Sequence, residues 1–583
     1  MFKYFGYLIS RRFCIIPAFT LDNLQNMISL NNPLMKSVKV LAVISTLFVF
    51  VSCNNEDKLP ARALDKPLIF IGLDGAEWNV IKPMIERGEL PNIKRLMDAG
   101  IHTGLINPGA MVSPPVWSTF VTGEHPRFHG ILDHTFPFDG SRSRKPVDST
   151  LRRKPAIWNI ASDAGLRSAV LGYYVSWPAE DIIGTIISDR VMQKYPDSVF
   201  PESAERSTYK IVNEMTDEDA QEDFLRRFYS WGYRPEQANN PGSSYYKAAK
   251  LIVSRADRLL VNDEIIIRSA LELQTNAYDL VVLYLRTTDL VSHSFWREYD
   301  DSEFEKPADP EVKALLGEAV PEAYRYVDNA IGKLMGKFGE QANYLVVSDH
   351  GFHSARKELI IDNAQASVIT GNHLPVGVLI AAGPDIRQQL SASIKHYATT
   401  LDILPTLMRL LGLPVASSQS GSSLEWLVNA KFKRNNPKKT VLTYPADTFA
   451  RAYNSAGNVD QNKEMSSLSG LGYIGGEVSE GNVDVQNYDF WSVSDGHFMD
   501  HIIGEIIIEL LAKRFQNTAD IMQEFLTVWP ELEKEIYRQL RKRLILISES
   551  AYIYKPINHK KLMRKLKEEM NSQESSELLA GQE

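Results

Sequence analysis

Six short apolar runs recur along the 583-residue chain, and segments with helical periodicity lie between most of them. The runs occupy residues 66–73, 168–172, 182–188, 278–285, 344–348 and 376–382. Apolar runs of this length, bounded by turn residues, are typical of strands that are buried on both faces of a sheet. Their alternation with helices predicts an α/β fold with a mostly parallel central sheet and helices on both of its faces.

Changes in composition divide the chain further. All six runs lie between residues 66 and 476. Within this part of the chain, the segment at 195–275 is charged and aromatic with helical spacing, so we expect a helical insertion over the active face. The pattern is helical and charged from 499 to about 570, which predicts a helical C-terminal region at 477–583.

The N-terminal extension at 1–53 has a pattern of its own. A basic segment at 35–39 precedes an apolar run at 40–51, then comes Cys53, and 54–65 is a polar linker. This order resembles a bacterial lipoprotein signal, in which the cysteine carries lipid. Residues 1–34 are foreign to such a signal, which makes Met35 a candidate start. The resemblance implies an exported protein held on a membrane through Cys53, facing the periplasm or on the outer-membrane surface; an uncleaved anchor or a plain secretory signal is the alternative.

Charge and cysteine content exclude several classes of site. The formal net charge is −8 and no basic stripe dominates the middle of the chain, which argues against a dedicated nucleic-acid binder. The two cysteines, Cys14 and Cys53, are too few for a disulfide framework or a thiolate metal cluster. Any metal ion must therefore be held by histidine, aspartate or glutamate.

Acidic and histidine residues follow three of the apolar runs. Because the carboxyl ends of parallel strands lie at one edge of a sheet, these side chains are expected at the same edge. The candidates are Asp74, Asp289, His293, Asp349 and His350, with His373 just before the run at 376–382. Oxygen and imidazole ligands without thiolate suit zinc, with manganese as the second choice.

Ser113 opens the segment Ser113-Pro-Pro-Val and is a candidate nucleophile. A serine followed by proline is also a common start of a helix, so from this segment alone a plain helix cap is the better explanation. At a helix N-terminus the hydroxyl would lie in positive potential, which favours an alkoxide and binds phosphate.

Several motifs occur together in a fixed order. They are Ile71-Gly-Leu-Asp74-Gly, Ser113 nine residues before Thr122-Gly123, His125-Pro-Arg-Phe-His-Gly-Ile131, Arg286-Thr-Thr-Asp289-Leu-Val-Ser-His293-Ser-Phe-Trp296, Ser348-Asp349-His350-Gly351-Phe352, Gly371-Asn-His373, Ala382-Gly-Pro384, Thr400-Leu-Asp402-Ile-Leu-Pro405-Thr406 and Leu471-Gly-Tyr-Ile-Gly-Gly476. The set resembles the type I phosphodiesterase/nucleotide pyrophosphatase family of the alkaline phosphatase superfamily, in the form of a bacterial lipoprotein member. The resemblance covers about residues 66–476 and implies that they form one catalytic domain of the alkaline phosphatase type.

The resemblance implies a site with two metal ions. One zinc ion would be held by Asp289, His293 and His373. The other would be held by Asp74, Asp349 and His350, with Ser113 completing its shell. Ser113 would be the nucleophile, where the family commonly has Thr and the related alkaline phosphatases have Ser. His134 stands where relatives often place an Asn that binds a phosphate oxygen, and a histidine can donate the same hydrogen bond.

The activity implied is metal-dependent hydrolysis of phosphate esters, phosphodiesters or nucleotide pyrophosphates, through a phosphoserine intermediate. The partner expected is a small phosphorylated substrate and not a nucleic-acid polymer; the oligomeric state stays open. A phosphomonoesterase or phospho-group transferase on the same fold is an alternative, and so is a non-catalytic surface lipoprotein that binds glycans or proteins. A sulfatase is disfavoured because Trp117 stands where its modification signal needs Arg.

Four other histidines are given lesser roles. His129 is expected to be structural, and His353 is expected to lie near the metal ions. The acidic and histidine residues at 495–501 are interpreted as helix capping and surface charge.

Overall fold

The computed structural model describes residues 64–136, 145–217, 219–220, 224, 257–274, 277–355, 370–388, 397–444, 496–550 and 557–580. All of them belong to one compact unit, Ala61–Glu583. The predicted signal at 1–53, most of the linker and the boundary at 476–477 lie outside the described residues and stay predictions.

The strands alternate with helices along the chain, as the apolar runs predict. The strands are β1 (Leu68–Leu73), β2 (Gly100–Ile106), β3 (Thr135–Phe136), β4 (Lys145–Pro146), β5 (Ser168–Leu171), β6 (Gly184–Ile187), β7 (Val199–Phe200), β8 (Leu280–Leu285), β9 (Asn343–Val347), β10 (Gly351–Ser354), β11 (Gly371–Leu374), β12 (Val376–Ala382), β13 (Val415–Ala416) and β14 (Thr440–Val441).

The helices occupy the segments between the strands and most of the C-terminal part. They are α1 (Trp78–Glu86), α2 (Pro91–Ala99), α3 (Ser113–Thr122), α4 (Pro126–His129), α5 (Ile157–Asp163), α6 (Glu205–Thr216), α7 (Asp257–Glu272), α8 (Thr287–Tyr299), α9 (Pro310–Leu316), α10 (Ala319–Phe338), α11 (Ile403–Leu410), α12 (Ala430–Asn435), α13 (Gly496–Leu511), α14 (Phe515–Val528), α15 (Glu533–Glu549) and α16 (His559–Ala580). Among the described helices, none combines the length and apolar character needed to cross a membrane.

The central sheet has eight strands in the order β2-β12-β9-β1-β8-β5-β6-β7. The strands β9, β1, β8, β5 and β6 are parallel, whereas β12 runs antiparallel to both of its neighbours and β7 runs antiparallel to β6. Every residue of β1, β8 and β9 is buried, so both faces of the sheet are covered. The predicted mostly parallel α/β fold is confirmed, and each of the six apolar runs forms one of its strands.

The reversed direction of β12 matters for the position of the site. In the register, Leu379 pairs with Val347, so the chain that enters β12 lies beside the chain that leaves β9. Residues just before β12 therefore reach the same sheet edge as residues just after β1, β8 and β9.

The predicted insertion and C-terminal region can be described in part. The described residues of 195–275 include helices α6 and α7, but also β7, which extends the central sheet at its edge. In the C-terminal part, Ile506 of α13 and Leu540 of α15 share a buried apolar cluster with Ile106 of β2 and Val376 of β12. The C-terminal helices thus pack directly on the strands at one end of the sheet.

We expect Ile506→Ala to lower the free energy of unfolding by about 2–5 kcal/mol, because it leaves a cavity where α13 packs on the sheet. The matched control is Val528→Ala at the end of α14, where the side chain is 48% exposed and the expected change is within about 0.5 kcal/mol. Urea unfolding followed by tryptophan fluorescence measures both. Equal, small effects of the two substitutions would show that the C-terminal helices are only loosely attached.

Candidate metal and catalytic site

The six side chains proposed as metal ligands converge at the sheet edge. In the first group, His293 Nε2 lies 2.8 Å from His373 Nε2 and 3.3 Å from Asp289 Oδ1, and His373 Nε2 lies 3.4 Å from Asp289 Oδ1. Asp289 and His293 belong to α8, whereas His373 belongs to β11, which precedes the reversed strand. Each pair of ligand atoms is thus close enough to share one ion.

The second group consists of Asp74, Asp349 and His350. His350 Nε2 lies 3.4 Å from both Asp74 Oδ1 and Asp349 Oδ2. The same nitrogen lies 3.8 Å from Asp289 Oδ1, which places the two groups side by side. The resemblance implies two sets of ligands, and these two sets meet at the contact between His350 and Asp289.

The orientation of the histidines indicates what these groups can hold. The Nδ1 atoms of His293, His350 and His373 donate to the backbone carbonyls of Gly371, Gly351 and Met111, at 3.1, 3.1 and 2.7 Å. A carbonyl only accepts, so in the neutral rings each Nε2 carries a lone pair that faces the carboxylates. Two such lone pairs 2.8 Å apart require a proton or a cation between them.

The remaining donor atoms also fit metal ions. Asp74 Oδ1, Asp349 Oδ2 and His350 Nε2 are buried and make no hydrogen bond within the described part of the chain. Buried polar atoms are normally paired, and a site with carboxylate and imidazole donors and no thiolate is suited to zinc or manganese. The residues present therefore fit two divalent cations.

The pKa values reflect three carboxylates confined together. Burial, and then the charges of Asp349 and Asp289, raise the pKa of Asp74 well above its usual range. Burial raises the pKa of Asp349 to about 7, and the charge of Asp289 adds to this. Burial would also raise the pKa of Asp289, but His293 and His373 hold it well below its usual range. Full ionisation of all three carboxylates needs compensating positive charge.

Two residues around Asp74 were not identified from the sequence. Tyr284, within β8, donates a hydrogen bond to Asp74 Oδ2, and Thr288 donates one to the Asp74 carbonyl. The signal was present, because a tyrosine in a wholly buried strand needs a partner for its hydroxyl. The identity of that partner depended on which strand lies next to β8.

The loops after β1 and β9 are held together by hydrogen bonds. Ser348 Oγ donates to the His350 carbonyl at 2.7 Å and accepts from the Ala76 N–H at 2.8 Å. The carboxylate of Glu77 accepts from the Phe352 N–H at 2.8 Å, on the other side of His350. These bonds fix the backbone on both sides of the Asp349-His350 pair.

Gly75 permits the close approach of α8 to the loop after β1. Its φ is +64°, and a Cβ atom there would lie 3.0 Å from the Asp289 Cα. Its N–H donates to Asp349 Oδ1 at 3.2 Å. A larger residue would be strained and would push apart two of the proposed ligands.

Asp263 of α7 holds the first turn of α8 and was also missed. Its Oδ2 atom accepts from the Arg286 N–H at 2.7 Å, the Thr287 N–H at 2.9 Å and the Thr287 hydroxyl at 2.7 Å. Burial raises the pKa of Asp263 to about 6, and its hydrogen bond from Thr287 opposes that shift. A residue within the segment 195–275 thus positions the helix that carries Asp289 and His293.

Ser113 is the first residue of α3 and is buried. The residue that caps the helix is Val112, and no side chain makes a capping hydrogen bond there. The hydroxyl therefore does not act as a helix cap, the alternative that the sequence left open. Met111, two residues earlier, accepts the hydrogen bond from His373, which ties this loop to the first ligand group.

The contacts described for His134 are with residues other than the six proposed metal ligands. Its side chain is 5% exposed, and its Nδ1 atom lies 3.3 Å from the Tyr174 hydroxyl. Tyr174 in turn packs against Tyr284, with ring centroids 5.6 Å apart, and Tyr284 binds Asp74. His134 is therefore connected to the second ligand group through two tyrosines.

Two further histidines have structural contacts. His129 accepts the Ile131 N–H on Nδ1 and lies 3.1 Å from Thr119 Oγ1, as a structural residue would. His501 is buried and lies 2.8 Å from the Leu132 carbonyl, so its interpretation as surface charge is wrong. It packs inside because α13 lies against the main domain. The side chains of Asp495 and His497 lie outside the described residues.

Comparison with known proteins matches this chain to one family. The sequence model of the family described as type I phosphodiesterase / nucleotide pyrophosphatase matches residues 68–402. The ectonucleotide pyrophosphatase/phosphodiesterase family member 3 of Rattus norvegicus is 27% identical over 157 residues, which are 26% of this chain and 17% of that protein.

Two solved structures are similar at low sequence identity. Murine ectonucleotide pyrophosphatase/phosphodiesterase 5 is 16% identical, covers 62% of this chain and 100% of its own, and has a TM-score of 0.36. Phosphonoacetate hydrolase from Sinorhizobium meliloti 1021, in complex with phosphonoformate, is 18% identical, with 52% and 59% of the two chains covered and a TM-score of 0.31.

We expect Asp263→Ala to weaken metal binding at the group that contains Asp289 and His293, because three donors at the start of α8 lose their acceptor. The expected loss of affinity is about 10–100-fold, measured by competition with a zinc-binding dye.

The control for Asp263→Ala is Asp309→Ala, which removes the exposed carboxylate that caps α9. It should lower stability by about 1 kcal/mol and leave metal affinity unchanged. Unchanged affinity in Asp263→Ala would contradict the role of Asp263 in positioning α8.

Proposed function

The chain belongs to the type I phosphodiesterase/nucleotide pyrophosphatase family, and on that basis we propose that it hydrolyses phosphodiesters or nucleotide pyrophosphates through a phosphoserine intermediate at a two-metal site. The observation that carries the proposal is the arrangement of the two ligand groups, with His293 Nε2 and His373 Nε2 2.8 Å apart beside three buried carboxylates. Such an arrangement is stable only with positive charge in its centre.

In this proposal Ser113 Oγ gives up its proton and attacks phosphorus. The bond from phosphorus to the leaving oxygen breaks with its electron pair, and the leaving oxygen takes up a proton. Water then attacks the phosphoserine, and Ser113 leaves as its hydroxyl after it has regained a proton. Splitting one displacement into two gives each step a lower barrier. The position of Ser113 at the start of α3 supports this role, because the helix dipole gives the N-terminus a positive potential that stabilises negative charge.

Two divalent cations would stabilise the charge on the entering and leaving oxygens. Asp289, His293 and His373 would hold one of them, and Asp74, Asp349, His350 and Ser113 the other. Zinc is the proposed metal because every donor is an oxygen or an imidazole nitrogen, with manganese as the alternative.

His134 is proposed to donate a hydrogen bond to a phosphate oxygen. Its Nδ1 atom lies 3.3 Å from the Tyr174 hydroxyl, and it stands where relatives often place an Asn that binds a phosphate oxygen. The contact to Tyr174 would hold the ring in one orientation, and the tautomer with the proton on Nε2 would serve as the donor.

The cellular position is also a proposal. The Cys53 motif supports a lipoprotein that is anchored on a membrane and acts on phosphate esters outside the cytoplasm. Metabolic labelling with a fatty acid, compared between the natural chain and Cys53→Ala, tests the anchor directly.

We expect Ser113→Ala to abolish turnover, with a decrease of at least about 1,000-fold in kcat, while the metal ions stay bound. The matched control is Ser118→Ala on the same helix, because the Ser118 hydroxyl is buried without a hydrogen-bond partner among the described residues. Hydrolysis of bis(p-nitrophenyl) phosphate measures activity, and mass spectrometry measures metal content. Near-normal activity of Ser113→Ala would disprove the phosphoserine route.

We expect the purified protein to contain two zinc ions per chain, because the ligand atoms of Asp289, His293 and His373 lie beside those of Asp74, Asp349 and His350. Removal by a chelator should abolish hydrolysis of phosphodiesters, nucleotides and aryl phosphates alike, and zinc should restore it. A metal-free chain that binds glycans or proteins would instead favour the non-catalytic alternative. The ratio of rates on aryl phosphodiesters and aryl phosphomonoesters separates a phosphodiesterase from a phosphomonoesterase.

A further inference from the structure

Arg286 lies between the metal-ligand groups and the next strand of the sheet. Leu73 pairs with Leu285 in the register, and the Asp74 N–H donates to the Leu285 carbonyl at 2.9 Å. Arg286 therefore follows β8 beside Asp74, at the usual spacing of neighbouring strands, about 4.8 Å. On its other side β8 pairs with β5, after which comes Tyr174.

The guanidinium of Arg286 is turned toward β5 and packs on aromatic rings. Its Cζ atom lies 5.1 Å from the centroid of Tyr174 and 5.5 Å from that of Tyr284. These contacts hold the plane of the guanidinium in one orientation. The side chain therefore loses little further conformational entropy when a ligand binds it.

One donor of this guanidinium stays unused by the described part of the chain. Its Nε atom is buried and has no hydrogen-bond partner within the described residues. The nearby carboxylate of Asp263 instead accepts from the backbone N–H of Arg286 and from Thr287. A half-buried cation with an unsatisfied buried donor is suited to an incoming anion.

The wall beside the metal ligands continues from Arg286 to His134. The Tyr174 ring lies under the guanidinium, and its hydroxyl lies 3.3 Å from His134 Nδ1. Five of the six proposed metal ligands follow β9, β1 and β8, so this wall lies on the β5 side of them. A substrate bound at the metal ions and extended toward β5 would meet Arg286 first.

We propose that Arg286 is a specificity residue that binds a second anionic group of the substrate, a phosphate or a carboxylate carried close to the scissile phosphate. This inference rests on the proposed function, because it takes the scissile phosphate to lie at the two ligand groups. The preferred substrates are then phosphate esters with two anionic groups, and esters with a single charged phosphate bind more weakly.

The test compares small non-hydrolysable anions by isothermal titration calorimetry on the full zinc-loaded chain. The probes are methylphosphonate, methylenediphosphonate and 2-carboxyethylphosphonate, all at one fixed concentration of free zinc. The variants are Arg286→Gln, which removes the charge, and Arg286→Lys, which keeps it. Arg95→Gln is the control, because Arg95 is an exposed arginine on α2 that pairs with Glu340.

In the unsubstituted protein we expect methylenediphosphonate, 2-carboxyethylphosphonate or both to bind at least about tenfold more tightly than methylphosphonate, since a hydrogen bond between charged groups is worth about that much. Arg286→Gln should remove most of this ratio, Arg286→Lys should retain a large part of it, and Arg95→Gln should not change it. The probe that gains more affinity over methylphosphonate shows whether the second anionic group is a phosphate or a carboxylate.

Two results would overturn the inference alone. One is equal binding of all three anions by the unsubstituted protein, which needs no variant to fold. The other is an equal loss of affinity for all three anions in Arg286→Gln, which would place Arg286 on the scissile phosphate itself. Failure of the unsubstituted protein to bind any of the anions or to hydrolyse any phosphate ester would refute the proposed function as well, and is thus distinguishable.

Discussion

Three carboxylates, those of Asp74, Asp289 and Asp349, are buried within a few ångströms of His350, and their mutual repulsion is the constraint on which the site depends. Burying like charges together is strongly unfavourable unless positive charge lies between them. The raised pKa values of Asp74 and Asp349 express that cost in the protein alone. A fold that keeps these carboxylates together must fix each backbone segment firmly enough to resist their repulsion.

The surrounding structure provides that rigidity through short connections between the loops. Ser348 and Glu77 hold the loop after β9 to the loop after β1, and Asp263 holds the first turn of α8. Gly75 allows α8 to approach without steric conflict. None of these residues is a proposed ligand, and each acts on the backbone that carries one. Preorganisation of this kind keeps ligand atoms in place before a metal ion or substrate binds.

Prediction from the sequence succeeded where the signal is local. The apolar runs identified the buried strands, and the residues that follow β1, β8 and β9 were identified as neighbours from the rule that parallel strands share a carboxyl edge. His373 was the exception, since it precedes a strand, and the carboxyl-edge rule by itself does not place it with the others. The reversed direction of β12 gives the physical reason for its position. His501 was misinterpreted because its burial depends on α13 packing against the main domain.

The sequence by itself determined the α/β class of the fold, the chemical type of the donors and the strand ends at which they stand, because these follow from short-range periodicity and residue identity. The tertiary structure alone decided which strand lies beside which, and hence that Tyr284 reaches Asp74, that Asp263 supports α8, and that Arg286 lies over Tyr174. Those contacts join residues distant along the chain, whose side chains carry no local signal of their partners. They depend on the order of strands in the sheet, which is set by the packing of the whole domain.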